Sequence, residues 1–360
     1  MRFVASSQKV CAEYKMDAGD NLIIKERGKI VVDGVGLISN VSNLHSGVMI
    51  DATVSDVDEV SGEDSDDYKK SLEMSYKTKY DEVWEHSHNL LNPVYFPDID
   101  FAWDTKHMVA YPAGRFIKFI SRAASAASDE QHRPSYNAVM VSFGSKGVEF
   151  FASDGRQMAY VNDSSLQSSN DRQALVQSQV ISKVTKKGIL ETGDDVEISI
   201  STGEKDEVGK VRFYQNGLTI ITNFAQGANV LPYDKILALQ SDVCSFNITA
   251  ELLKEDLKVF SDLENKDSKW TFGPDGIKVV SLGNFDRKSE GKISGVKDYI
   301  GDECTMRLSL RYWDSLLSQC DGDTELKVSV AHTEAPIGIE VSPEPSLYKF
   351  FIMPMNDVND

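Results

Sequence analysis

The feature that most limits how this chain can fold is a succession of elements that runs twice between Val109 and the end: a helix, a set of short strands, a second helix, then more strands. The repeat is one of structure and not of residues. In the first pass, residues 112–127 carry Phe116, Ile117, Ile120 and Ala123 on one side of a predicted helix and Arg115, Lys118 and Arg122 on another. The runs NAVMVSF and GVEFFASDG, joined by a Gly-Ser-Lys-Gly turn, read as a hairpin. A second helix is predicted over 178–187; it buries Val180, Ile181 and Val184, exposes Lys183, Lys186 and Lys187, and meets Gly188 where a C-terminal cap belongs. Val196, Ile198 and Ile200 then alternate with polar residues, and the next two runs flank Gln215-Asn216-Gly217, whose Asn-Gly step favours a tight turn.

The second pass follows Ser241. It has a helix over 250–263, strands around 270–280 turning at Pro274-Asp275-Gly276, and a helix over 310–320 in which Leu310, Trp313 and Leu317 form a core stripe. Strands over 326–330, 337–341 and 348–353 close the chain. The first hundred residues are less regular: apolar strand-like runs up to Val60, an acidic stretch GEDSDD, then a predicted helix over 68–88.

A chain of 360 residues is too long for one hydrophobic core. The pattern divides it into domains at 1–108, 109–240 and 241–360, all of α+β type. The four cysteines (Cys11, Cys244, Cys304 and Cys320) lie far apart in sequence, with no CxxC pair, and read as reduced thiols. No stretch approaches the roughly 20 apolar residues that cross a bilayer, and the first residues lack the apolar core of a signal peptide, so a cytoplasmic protein with no membrane partner is expected.

An enzyme reading needs a nucleophile, an acid–base pair or a metal cluster. The candidates are the acidic run Asp56, Asp58, Glu59, Glu63 and Asp64, and the pair His86 and His88. The run lacks the glycine and terminal glutamate of an EF-hand loop, and His-x-His on a predicted helix points to different faces. Both read as solvated surface, and neither a catalytic residue nor a cofactor nor a metal is expected. A net charge of −18 argues against nucleic acid unless Lys and Arg are gathered locally, as they are on the two helices of the first pass.

Two passages carry a resemblance. In the segment from His132 to Asp163, Arg133, Asn137 and Ser153-Asp154-Gly155-Arg156-Gln157-Met158 stand where the middle domain of the bacterial DNA polymerase III beta subunit family has an Arg, an Asn, a hairpin and Thr-Asp-Gly-His-Arg-Leu. At the end, Met353-Pro354-Met355 is similar to the Met-Pro-Met that closes that family's last strand. Between them QGANVLPYDKIL resembles the family's link into its third domain, one residue shorter after the proline and with Tyr and Asp exchanged. The chain therefore resembles a divergent beta sliding clamp.

That resemblance implies three clamp-like domains with helices lining a central hole and strands outside, two chains closing head to tail into a ring around duplex DNA, and no chemistry. It implies that the replicative polymerase and the clamp loader dock through short linear peptides in a groove between the middle and last domains. Carried over by position, the groove comprises Tyr136, Ser153, Gly155, Arg156, Gln157, Met158, Pro232, Lys235, Ile236, Pro336, Phe351, Ile352, Met353, Pro354 and Met355. The phosphate-facing set is Arg115, Lys118, Arg122, Lys183, Lys186 and Lys187, joined by Lys254 and Lys258 and by His132 and Arg133 in the loop after the first helix. Two departures bear on the peptide: Arg156-Gln157-Met158 replaces His-Arg-Leu, and Asn-Asp-Val-Asn-Asp follows the Met-Pro-Met. The alternative from another class is a clamp-fold scaffold or decoy that binds replication proteins without encircling DNA.

Overall fold

The computed structural model describes residues 108–355, apart from 203–208, 239–242, 261–266, 283–287 and 343–346, together with the strands among the first 107 residues. By its internal packing the chain divides into two units, residues 1–5 with 13–102, and residues 6–12 with 103–360.

The chain opens with β1 (Arg2–Ser6) and β2 (Val10–Lys15), followed by β3 (Val31–Val32), β4 (Ile50–Asp56), β5 (Lys70–Lys77) and β6 (Val83–Leu91). In the first unit β3, β6, β5 and β4 lie in that order in a four-stranded sheet. The helix expected over 68–88 is instead the β5–β6 antiparallel pair, with Leu72 opposite His88 and Tyr76 opposite Trp84. The alternation that makes it so is present in the sequence: Leu72, Met74 and Tyr76 are interleaved with Ser71, Glu73 and Ser75. The helical argument about His86 and His88 therefore lapses, and the acidic run beyond Asp56 lies outside the described residues.

The first pass in the second unit is β7 (Met108–Pro112), α1 (Ala113–Ala124), β8 (Ala138–Gly144), β9 (Gly147–Ser153), β10 (Gln157–Asp163), β11 (Arg172–Gln177), α2 (Ser178–Val184), β12 (Asp195–Ser201), β13 (Lys210–Gln215) and β14 (Leu218–Asn223). A short α3 (Asp234–Leu237) sits in the link. The second pass is β15 (Cys244–Thr249), α4 (Ala250–Leu257) with a 3-10 turn over Lys258–Phe260, β16 (Asp267–Gly273), β17 (Gly276–Leu282), β18 (Lys288–Ile293), β19 (Lys297–Gly301), β20 (Cys304–Ser309), α5 (Leu310–Leu317), β21 (Glu325–Val330), β22 (Ile337–Ser342) and β23 (Leu347–Ile352).

The two passes build matching sheets. The first gives the order β11-β8-β9-β10 and, in another sheet, β14-β13-β12-β7; the second gives β20-β16-β17-β18 and β23-β22-β21-β15, extended by β19. Because β10 pairs with β23, a sheet of the first pass and one of the second fuse into nine strands in the order β11-β8-β9-β10-β23-β22-β21-β15-β19. The turns obey local chemistry. Asn216 and Gly217 both adopt positive φ (47° and 83°), as the tight turn between β13 and β14 requires.

Helix α1 begins directly after Pro112, whose φ of −53° suits a helix start where no N–H is needed. Its buried stripe of Phe116, Phe119, Ile120 and Ala123 packs on β9 and β10. In the second pass, Trp270 on β16 stacks on Trp313 of α5 at 5.0 Å, both fully buried, and Trp270 Nε1 donates to Ser268 Oγ at 2.7 Å. Removing such a side chain costs about 3–5 kcal/mol, so this stack anchors α5 to its sheet. Two cysteines 60 residues apart in sequence are neighbours in the fold: Cys244 Sγ and Cys304 Sγ approach to 3.7 Å, a contact between two thiols and not a bond.

Candidate functional site

The first candidate lies on the outer face of the β10–β23 seam. Successive strand residues point to opposite faces, so the doublets Phe150-Phe151 and Phe350-Phe351 each supply one ring to either side. Phe150, Ala159, Val161, Phe350 and Ile352 join the main core, while Met140, Phe151, Met158, Tyr160 and Phe351 form a separate buried cluster on the outer face. Register places Met158 directly opposite Phe351.

The link closes over this cluster: Leu231, Tyr233, Ile236 and Leu237 pack against it, with the Tyr233 ring stacked on Phe151 at 4.6 Å and on Tyr160 at 5.6 Å. The Tyr160 hydroxyl donates to the buried carboxylate of Glu149, and burial with that hydrogen bond pushes its own pKa up. Burial, with help from the Glu149 charge, likewise pushes Tyr233 up to about 12.

Beyond Ile352 the chain leaves the sheet and ties the two passes together. Met353 N donates to Arg156 O at 2.8 Å, and Met355 N donates to Arg307 O of β20 at 2.9 Å. Pro354, with no N–H, spans the gap between those bonds. All three residues are half-buried. Facing them is the Ser153–Gln157 turn, where Asp154 Oδ1 accepts from Arg156 N and Gln157 N at 2.7 and 2.8 Å and Ser153 Oγ donates to Gln157 O at 2.7 Å. Gly155 has φ of +92°, and a Cβ there would come within 3.0 Å of Tyr136 Cε1 and 3.2 Å of Arg133 Nη2. The turn thus needs glycine both for its conformation and for the Arg133–Tyr136 stack, 4.0 Å from guanidinium to ring centre, that passes beneath it.

Most of the residues expected in the groove are brought together here. Tyr136 and Gly155 touch; Met158, Phe351 and Ile236 share the outer cluster; Arg156 holds Met353. Pro336 is buried just ahead of Ile337, which pairs with Ile352, and Pro232 and Lys235 are exposed on the link. Two need correcting. Ile352 is fully buried in the main core, and Gln157 is turned inward, 4% exposed, with Nε2 donating to Ser125 O at 3.4 Å. Neither presents a side chain to a peptide, because their register puts them on the helix side of the seam. Sequence reasoning missed Phe151, Tyr160 and Tyr233, although two adjacent phenylalanines on one strand already signal that both of its faces are covered.

The second candidate is the helix face. Lys118, Lys183, Lys186 and Lys187 are exposed on and just after α1 and α2. Arg115 is half-engaged, in an ion pair at 2.7 Å with Asp163, a fully buried carboxylate that also accepts from Tyr111 OH at 2.9 Å. Arg122 is a correction: it is 2% exposed, its guanidinium 4.8 Å over the buried Tyr348 ring of β23. Helical spacing set it beside Lys118, but Tyr348 of β23 lies under its guanidinium, and its apolar stem and planar head go inside. Lys254 is also committed, donating to Cys320 O at 2.6 Å just past the C-terminus of α5, where the helix dipole favours a cation. Lys258 is exposed in the 3-10 turn. His132 is exposed, and Arg133 is engaged with Tyr136, Gly155 and Glu130, so it belongs with the seam. A shallow hollow of about 220 Å³ between α1, α2 and Gln319 is lined by Ser121, Ser125, Ser182 and Thr185.

Among the described residues no cluster of His, Cys, Asp or Glu could hold a metal, and no helix is long and apolar enough to cross a membrane.

No family model matches the chain, and no curated protein matches it in sequence. Its backbone is similar to that of the DNA polymerase III subunit beta from Pseudomonas aeruginosa, with a TM-score of 0.79 at 15% identity over 99% of this chain and 88% of that one. The DNA polymerase sliding clamp from Bacillus subtilis is similar too, with a TM-score of 0.76 at 16% identity over the same shares. Its sheets, its helices and the seam between its two passes give this chain the α+β fold of the bacterial DNA polymerase III beta sliding clamps, at a large distance in sequence.

Proposed function

We propose that the chain is a DNA sliding clamp, a processivity factor that encircles duplex DNA and tethers the replicative polymerase, doing no chemistry itself. In this reading residues 1–108, 109–240 and 241–360 are three clamp-like domains, two chains close head to tail in the cytoplasm, and a heterologous interface whose rotation closes makes the ring. The observation that carries it is the seam, where an apolar outer cluster lies beside a strap of Met353, Pro354 and Met355 pinned to Arg156 and Arg307. Methionines beside aliphatic and aromatic groups form an adaptable slot able to serve polymerase and clamp loader in turn. Lys118, Lys183, Lys186 and Lys187 supply phosphate contacts that can pass from one phosphate to the next without reading sequence.

A second reading, a scaffold that uses the seam without encircling DNA, draws on the engagement of Arg115, Arg122 and Lys254 within the protein, which thins the basic face of a chain of net charge −18. Retention separates the two. Subunits dissociated by dilution and reassembled around a nicked plasmid are passed through gel filtration, with the native mass read by light scattering. A clamp runs at two chain masses, co-elutes with the circle and is lost when the circle is cut. A scaffold is retained on neither form.

A further inference from the structure

Two thiols meet inside the second pass, and neither the groove nor the helix face uses them. Cys244 opens β15 in the nine-stranded sheet and Cys304 opens β20 in a four-stranded one, so their 3.7 Å Sγ–Sγ contact bridges two sheets. The backbones are drawn together as well. Asp302 N donates to Val243 O at 3.0 Å, and Gly301, at φ of +102°, turns the chain from β19 toward β20 so close that a Cβ there would lie 2.9 Å from Cys244 Cα. A disulfide needs its sulfurs about 2.05 Å apart, so closure asks for a shift of less than about 2 Å.

The pair is not symmetrical. The hydrogen bond from Cys304, with help from the Tyr299 hydroxyl, pulls the Cys244 thiol down against burial, while the same bond and burial push Cys304 up. Cys304 thus holds its proton and donates it, and Cys244 is the sulfur that carries the thiolate, the nucleophilic form. Tyr299 is itself fixed on β19, its hydroxyl 2.7 Å from Asp302 O and 3.1 Å from Phe272 O. Both cysteines are buried, beside a strand that ends its sheet among the described residues. Burial shuts out bulky reagents and admits a small one when that edge opens locally.

We propose that Cys244 and Cys304 form a dithiol that hydrogen peroxide closes to a disulfide, joining the two sheets of the second pass. The Cys244 thiolate attacks one peroxide oxygen; the O–O bond breaks, a sulfenic acid forms and hydroxide leaves, to be protonated to water. Cys304 Sγ, giving up its proton, then attacks Cys244 Sγ; the S–S bond forms, the S–O bond breaks and a second water leaves. Two thiols lose two electrons and one peroxide gains them. Thiol reductants reverse the bond, and in reducing surroundings the pair rests as the two thiols seen here.

Peroxide treatment of the whole chain, followed by non-reducing tryptic digestion and mass spectrometry, tests it. A linked species should join peptides 236–254 and 298–307, lighter than their sum by two hydrogens and about tenfold or more in excess of any link to Cys11 or Cys320, as proximity demands. The oxidised chain should melt about 5 °C or more above the same sample after dithiothreitol, because the bond closes a loop spanning 60 residues. C304A and C304S should halt at a Cys244 sulfenic acid that dimedone captures, while C244A and C244S should leave Cys304 unoxidised at the same dose; two substitutions at each site guard against one that fails to fold. No such link at a dose that turns the half-buried Met355 to its sulfoxide, or links to Cys11 or Cys320 in equal yield, would overturn the proposal. A melting point unchanged or lowered by the bond would show that the fold does not hold the pair ready to close, and equal sulfenic acid in C244A and C304A would remove Cys244 as the attacking sulfur.

Discussion

The two passes of the second unit share an architecture and differ in charge. In the first, the helices present Lys118, Lys183, Lys186 and Lys187 to solvent; in the second, α4 exposes Glu251 and Glu255 ahead of Lys258, α5 exposes Arg311 and Asp314 together, and Lys254 is spent on the carbonyl of Cys320. Their interiors differ as well: the first packs Phe116 against Phe150 and Phe213, while the second is built on the Trp270–Trp313 stack. One backbone plan is therefore compatible with a basic surface and a mixed one, because sheet order and helix burial depend on the inward residues alone. Whatever the helix face contacts electrostatically, the first pass carries more of it.

The strongest way to break that contrast is charge reversal. Changing Lys183, Lys186 and Lys187 together to Glu should lower DNA retention by about a hundredfold or more at low salt, given the steep dependence on phosphate contacts. The converse change in the second pass, Glu251 and Glu255 to Lys, should not lower it. Equal losses from both, in the plasmid gel-filtration assay, would erase the difference between the passes.

Next in size is the seam where the passes join. Met353→Ala with Met355→Ala should weaken peptide binding by about tenfold to a hundredfold, the loss expected of two central apolar contacts, with the native mass unchanged. Unaltered anisotropy curves would remove the strap from the groove.

Smaller effects sharpen the contrast. Lys254→Met should cost about 1 kcal/mol in urea unfolding and leave DNA retention alone, since its ammonium closes α5 and does not face outward. Arg122→Met should likewise leave retention unchanged; a fall matching that of Lys118→Met would return Arg122 to the exposed face. Tyr233 gives a pH signature confined to the link. Its folded pKa of about 12 lies above the ordinary value near 10, so the folded state holds the proton more tightly and stability declines as pH rises between them. Tyr233→Phe should flatten that part of the decline in thermal midpoints measured from pH 9 to 12, relative to the unaltered chain.

Much of this was written along the chain. Alternating and helical spacings, with Asn216-Gly217 and Pro274-Asp275-Gly276 between them, are local signals, and they determined the helix–strand order of both passes, while the seam's residues were pointed to by the resemblance carried by 132–163, the link and Met353-Pro354-Met355. The β5–β6 pair was legible too, in the alternation of Leu72, Met74 and Tyr76, but lost to a helical reading of a long polar stretch. What only the tertiary structure decided is which surfaces of those elements are covered by others. Helical spacing assigned Arg122 to a basic face, and Tyr348 of β23 then took its guanidinium inside; strand spacing set Phe351 and Ile352 on opposite faces without saying which face is inner, and pairing with β10 sent Ile352 to the core and Phe351 to the outer cluster. Cys244 and Cys304, 60 residues apart, meet for the same reason. Period fixes the faces of an element relative to its own axis, whereas burial depends on contacts between elements distant in sequence, and no local pattern records those.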